Sequence, residues 1–328
     1  MGVQIPFRTP REVGRTGDDT PASGLLTYVW RMSGWHQVWV CLIAVALAVI
    51  DLIPIELQRR IVNEIVETQD VPLLLQYGAV YLVLVLTHKL GKFVLKMYQS
   101  WLAESARLYT RQHLVSLYRN GDDQNGDHSG RTVSIVGSEA EKLGGFVGEA
   151  LSQACVNITM LVGVLSYMLV VEPRIAAFAL AFLIPQALIT PFMQRRLNEL
   201  VETRVQYLRD LGDEIAQDDV VRKDDAQRFL PKIFDNRMKY FALKHVLKTV
   251  LNVLNGLGPF TVLVFGGYLV MQGETEVGII VAFISGFERM SNPVRELITF
   301  YRVAAQATVQ HRMIAKWINK RIGDHGAA

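Results

Sequence analysis

Six apolar runs punctuate the chain, each about as long as a helix needs to cross roughly 30 Å of hydrocarbon. They extend approximately from Trp39 to Leu57, Leu73 to Leu95, Val147 to Val171, Ile175 to Met193, Val246 to Met271 and Val277 to Thr299. Backbone polar groups in lipid must find their partners within the segment, so the runs predict helices. Between the runs, apolar residues recur at three- and four-residue spacing, as in Leu197, Leu200, Val201, Val205, Leu208, Leu211 and Ile215, then Phe234, Met238 and Phe241. That is the period of a helix with one apolar stripe, so the spans are predicted to continue beyond the membrane. After the second run, Trp101, Leu108 and Val115 fall on one face, and the helix is predicted to stop in the turn formers from Asn120 to Asp127. Amphipathic helices lying on the bilayer surface are the alternative, but stripes on continuous helices fit helix packing better. The pattern predicts an all-α, polytopic membrane protein of six long transmembrane helices with cytoplasmic helical extensions.

Composition agrees with lipid as the solvent, since 50% of the 328 residues are hydrophobic and the mean hydropathy is +0.22. Cys41 and Cys155 sit in separate apolar runs with no CxxC pair, which excludes a secreted disulfide scaffold. The net charge of +3 matters through its distribution. The connection between runs two and three carries Arg107, Arg111, Arg119 and Arg131, and that between four and five is richer still in Lys and Arg. The opposite connections are short, and Gln272 to Glu276 holds no Lys or Arg. In the first outer connection Arg59 and Arg60 are accompanied by Glu56, Glu64, Glu67 and Asp70. The positive-inside rule then predicts a cytoplasmic (inner) membrane protein with both termini in the cytoplasm. The basic helices carry nearly as many acids and lack interleaved aromatics, so no nucleic-acid partner is expected.

This order of spans, short outer loops and long helical excursions resembles the transmembrane domain of ATP-binding cassette exporters. The stretch from Ser129 to Leu143 looks like the family's first coupling region, with Gly130, Ser138 and Glu139 at matching positions. Asp218 to Ala226 has the length of the second, including Asp218, Asp219, Val220, Arg222 and Asp224, although Asp224 stands where an aromatic is common. The sixth run follows the family's last helix: Val277-Gly278 at its start, Asn292-Pro293-Val294-Arg295 at its centre and Gln310-His311-Arg312 near its exit. The resemblance implies an N-terminal cytoplasmic segment over residues 1–34, the six-helix domain over 35–318 and a cytoplasmic tail over 319–328. It also implies a homodimer or heterodimer with a like subunit, often with helices four and five exchanged, in contact with membrane lipids. One departure concerns energy. The sequence holds no GxxxxGK[ST] phosphate loop; the GK pair at Gly91-Lys92 lacks the remaining residues. No enzymatic activity is therefore expected of these residues, and ATP and magnesium would be bound by a partner chain.

Ionisable residues inside a membrane helix cost about 2.5 to 3.5 kcal/mol each on insertion scales, which makes them functional candidates. Glu288 and Arg289 lie about 17 Å along the last helix from Val277. Glu288 shares a face with Asn292 and Arg295, and Arg289 with Glu296. By the resemblance this helix lines the central pathway, so Glu288, Arg289, Asn292 and Arg295 are candidate substrate contacts for an anionic or amphipathic molecule, joined by Asn252 and Asn255 of the fifth. Ion pairing between helices that holds a dimer together is the other reading. Pro185-Gln186 and Thr190-Pro191 predict a bend in the fourth helix. His88, Lys89 and Lys92 are expected to snorkel or to meet anionic lipid. Seven histidines show no ligand spacing, so neither a metal nor a catalytic residue is expected. Two functions remain open: the permease-like subunit of an exporter driven by a separate nucleotide-binding chain, or an ATPase-less exporter-fold protein acting as a structural, accessory or lipid-binding subunit of a larger complex. The polar end Gly323 to Ala328 reads as a natural terminus.

Overall fold

The computed structural model describes residues 9–13, 21–65, 70–120, 137, 139–216 and 223–326, and among them there is no strand. In chain order the helices are α1 (Leu25–Ser33), α2 (Trp35–Arg60), α3 (Val71–Asn120), α4 (Ala140–Gly145), α5 (Leu151–Val171), α6 (Pro173–Ala216), α7 (Lys223–Met271) and α8 (Val277–Gly326). A π-helical turn, Ile61–Ile65, extends α2, and another, Phe146–Ala150, joins α4 to α5. The predicted extensions are present. At about 1.5 Å per residue, the 50 residues of α3 rise well beyond a bilayer.

Local chemistry sets the helix ends. Gly34 adopts φ 50°, a left-handed conformation that favours glycine, and its N–H donates to the Trp30 carbonyl at 2.7 Å, separating α1 from α2. Asp70 Oδ1 accepts the Leu73 N–H at 3.1 Å and so caps the start of α3. Glu172 alone separates α5 from α6, with Pro173 at the first helical position, where no N–H is required. Gly273, at φ 76°, turns the chain from α7 towards α8.

Five helical stretches are long and apolar enough to cross a membrane: Trp35–Glu64, Val71–Leu117, Ala140–Val171, Pro173–Gly212 and Arg228–Met271. The sixth predicted run lies on α8, a continuous helix outside that set, because Glu288, Arg289, Asn292 and Pro293 dilute its apolar first half. Helix α1 has no counterpart among the predicted elements. Its core-facing residues Tyr28, Val29 and Met32 span barely one turn, too short a stripe to stand out from sequence.

The helices form two compact units whose boundaries fall within α5 and α8. The first comprises Met1–Val164 and Glu296–Ala328. Its larger core joins Tyr28, Val29 and Met32 to Ala106 and Leu114 of α3, Leu143, Phe146 and Val147 around α4, and Ile314 and Ile318 of α8. A second cluster packs Val40, Ala44 and Leu47 of α2 against Leu95 and Leu102 of α3. The approach of α3 to the start of α5 depends on glycine: a Cβ on Gly148 would lie 2.3 Å from the Gln99 carbonyl oxygen. Elsewhere α3 presents Leu75, Leu82, Val83, Leu86, Leu90 and Phe93 outward, a surface suited to lipid rather than water.

The second unit, Leu165–Arg295, packs α6 along α7 and adds the first half of α8. Ile175, Val262, Ile280, Phe283, Phe287 and Met290 are buried in it. Phe178 of α6 meets Phe265 of α7 with ring centroids 4.3 Å apart. An ion pair joins Arg174 at the start of α6 to Glu274 beyond the end of α7.

Candidate functional site

Each unit contains a polar cleft. In the first, α2, α3 and α5 surround Asp51, His88, Lys92, Lys96 and Gln153, walled by Leu47, Leu95, Val156 and Met160. Its carboxylate, Asp51, accepts from His88 Nδ1 at 3.1 Å, and Lys96 is paired with Glu149. Below that layer Gln99 Nε2 donates to Ser152 Oγ at 2.8 Å, and His36 Nδ1 meets the Tyr98 hydroxyl at 2.6 Å. The cleft's charges are thus partly compensated, since Lys92 has no ion pair among the described residues. The outward Arg59 and Arg60 are compensated as well, since both reach Glu56, at 2.8 and 2.9 Å.

The cleft of the second unit is larger, about 810 Å³ counting its open mouth. Gln186 and Thr190 of α6 line it, with Lys244, Leu247, Lys248, Leu251, Asn252 and Asn255 of α7 and Val294 and Arg295 of α8. Gln186 is only 3% exposed, and its Nε2 finds no hydrogen-bond partner among the described residues. The Thr190 hydroxyl donates to the Gln186 backbone carbonyl at 2.7 Å, beside the two prolines, Pro185 and Pro191, that α6 carries without interruption. Arg295 is steadied by Asn292, whose Oδ1 accepts from its Nη2 at 2.6 Å. Lys244, Lys248 and Asn252 make no ion pair or hydrogen bond among the described residues. Along α7, residues 244 to 255 cover about 17 Å of helix.

Of the six pathway residues predicted from sequence, Asn252, Asn255 and Arg295 line this cleft. Glu288, Arg289 and Asn292 are not among its lining residues; Glu288 is exposed, Arg289 is half-buried, and Asn292 bonds Arg295. The cleft adds Gln186, Thr190, Lys244 and Lys248, which sequence reasoning did not place in a site. The signal was present: Lys244, Lys248, Asn252 and Asn255 follow at four-, four- and three-residue spacing, one polar stripe running into the apolar half of the helix. Of the coupling-region residues, Gly130, Ser138, Asp218, Asp219, Val220 and Arg222 lie outside the described residues. Glu139 immediately precedes α4, and Asp224 is the second residue of α7. Near Glu139, Arg107 and Arg111 of α3 both pair with Glu141, at 3.1 and 2.8 Å.

Outside the apolar runs of the first unit, Tyr28 bonds the Thr110 hydroxyl at 2.6 Å, and burial pushes its phenol up to about 12. His311 of α8 stacks edge-on against Tyr28, with ring centroids 5.6 Å apart. Its imidazole is held below the usual histidine range, first by burial and then by the Arg31 charge, so it is neutral at physiological pH. With Arg31, His113, Ile314 and Ile318 these residues line a small buried hollow that ties the end of α8 to α1 and α3.

The sequence of residues 39–213, more than half the chain, matches the ABC transporter transmembrane region. A relative is YgaD of Bacillus subtilis (strain 168), whose name describes a multidrug export ATP-binding/permease protein; it is 25% identical over 202 residues, 58% of this chain. The chain spans about a third of that relative's length, 35%. The match covers most of α2 to α6, with their long apolar helices. This chain therefore belongs to the ABC transporter transmembrane-region family: it is a multi-pass membrane protein and a membrane component of the exporter type.

Proposed function

We propose that the chain is the permease half of an exporter, dimeric with a like subunit and driven by a nucleotide-binding protein that is a separate chain. The cleft between α6, α7 and α8 carries this reading: it gathers polar and cationic side chains about an apolar wall, within helices otherwise built for lipid. Asn252, Asn255 and Arg295 touch the substrate, and Glu288, Arg289 and Asn292 line the remainder of the pathway or pair across the dimer. The nucleotide-binding protein binds ATP and magnesium, since these 328 residues contain no phosphate loop. It docks on the regions around Gly130, Ser138 and Glu139 and from Asp218 to Asp224. The excess of Lys and Arg in the two long connections supports an inner-membrane orientation with both termini in the cytoplasm.

Native mass spectrometry of the protein, gently extracted from its own membrane, tests the assignment. One nucleotide-binding chain per copy is the expected result, with loss of that chain when Asp218, Asp219 and Asp224 are replaced by lysine. A dimer without any nucleotide-binding protein, or a larger complex lacking one, replaces powered transport with the structural or accessory role.

A further inference from the structure

We infer that the cleft of Leu165–Arg295 binds an anionic amphiphile, a molecule with a phosphate or carboxylate headgroup on an aliphatic chain. This rests on the reading of that cleft as the substrate site and adds the chemical class of the substrate. The lining supplies donors in excess: the ammonium groups of Lys244 and Lys248, the guanidinium of Arg295 and the amide of Gln186, with no Asp or Glu among the lining residues. Several charges elsewhere in the fold are paired, although Lys92 in the first unit's cleft is not. His88 has Asp51, Lys96 has Glu149, and Arg174 has Glu274. Lys244 and Lys248, by contrast, have no such partner among the described residues.

Lys244 and Lys248 are exposed at one end of the fifth apolar run, so an anion entering the cleft meets both without breaking an internal pair. The Gln186 amide points to the same ligand class. A buried donor without an acceptor is destabilising, and a headgroup oxygen is the acceptor it lacks. Arg295, held by Asn292, presents a preorganised fork of the kind that binds carboxylate and phosphate. Leu247, Leu251 and Val294 run beside these donors and offer the aliphatic chain its contact. A cationic ligand would be repelled, and a neutral one would leave the lysines unanswered.

The test uses the full chain in nanodiscs of phosphatidylcholine, without nucleotide, and measures equilibrium binding of three probes: 1-oleoyl lysophosphatidic acid, 1-oleoyl lysophosphatidylcholine and inorganic phosphate. Expected is saturable binding of the lysophosphatidic acid, at least tenfold tighter than the lysophosphatidylcholine, with millimolar phosphate failing to compete. Lys244→Ala with Lys248→Ala should weaken that binding at least tenfold, and Lys248→Arg should retain it. The single variant Lys248→Gln, expected to lose severalfold, decides the matter should the double variant not fold. Equal binding of the two lysolipids overturns the inference, as does full binding by the lysine variants. Competition by phosphate at the affinity of the lysolipid overturns the amphiphile and leaves a plain anion site. Because neither ATP nor a partner takes part, a negative result here leaves the exporter assignment standing, and a missing nucleotide-binding chain leaves this result untouched.

Discussion

In the unit formed by Met1–Val164 and Glu296–Ala328, the cleft's carboxylate meets a histidine and the neighbouring Glu149 meets a lysine, whereas the cleft of Leu165–Arg295 gathers Lys244, Lys248 and Arg295 with no carboxylate among its lining residues. Both are polar surfaces among apolar helices, so burial alone does not distinguish them. Compensation does. A paired charge satisfies its own electrostatics and is explained by packing; an unanswered set of one sign calls for a partner of the other sign. The glycines do not divide the same way. Gly148 in the first unit is closed in by the α3 backbone and Gly258 in the second by the Phe287 ring, while Gly256, on the α7 stretch between the cleft asparagines and Pro259, has nothing within 4 Å of where a Cβ would stand.

The contrast can be broken at several points. The largest effect is expected from Gly148→Ala, whose methyl would meet backbone atoms of Gln99 and Ala103 that cannot rotate away; overpacking of this kind costs about 1–3 kcal/mol and sometimes more. The melting temperature of the detergent-solubilised protein should fall clearly, while Gly256→Ala leaves it unchanged or slightly higher. Asp51→Asn comes next, removing the charge that His88 faces at 3.1 Å, with an expected loss of about 1 kcal/mol in the same measurement. In the second cleft the sign reverses: Gln186→Leu removes an unanswered buried donor, so the ligand-free protein should gain up to about 1 kcal/mol while its affinity for an anionic lysolipid falls. A Gln186→Leu variant less stable than the parent would place the missing acceptor inside the protein and undo the contrast.

The smallest effect concerns pH. His311 has a folded-state pKa below its unfolded value, so its stabilising contribution is full above about 6.5 and is lost as the pH falls through the depressed folded value. Thermal melts between pH 7.5 and 5 should show a downward slope that His311→Gln flattens. Tyr28 stays neutral throughout this range, since its phenol is raised to about 12, and adds nothing to the slope.

Much of the fold was legible because lipid imposes a simple grammar of apolar length, helical period and turn formers. The short connection from Val171 to Arg174 and the extension of α6 and α7 beyond their apolar runs could both be read from it, while the predicted stop beyond Asn120 falls on residues outside those described. Helix α1 could not, because nine residues carry too little periodicity and its place depends on contacts with α3 and α8 distant in sequence. The site was half legible. Asn252, Asn255 and Arg295 stood out as polar residues in apolar runs. Lys244 and Lys248 did not, since lysines at the inner end of a span are expected for topology alone. Gln186 and Thr190 were masked by their prolines, which offered a sufficient reason for polar neighbours. Only the packing of α6 on α7 brings those four to one surface.

Removing two lysines from each unit in turn gives the most direct test of the claim that unanswered charge in the second cleft is a ligand site. Lys244→Ala with Lys248→Ala and Lys89→Ala with Lys92→Ala change the net charge equally, and all four residues are exposed lysines on long helices. Binding of 1-oleoyl lysophosphatidic acid, measured in identical phosphatidylcholine nanodiscs, should fall at least tenfold for the first pair and less than twofold for the second. Equal loss in both would mean that the lysolipid answers to bulk surface charge, and the distinction between the two clefts would not stand.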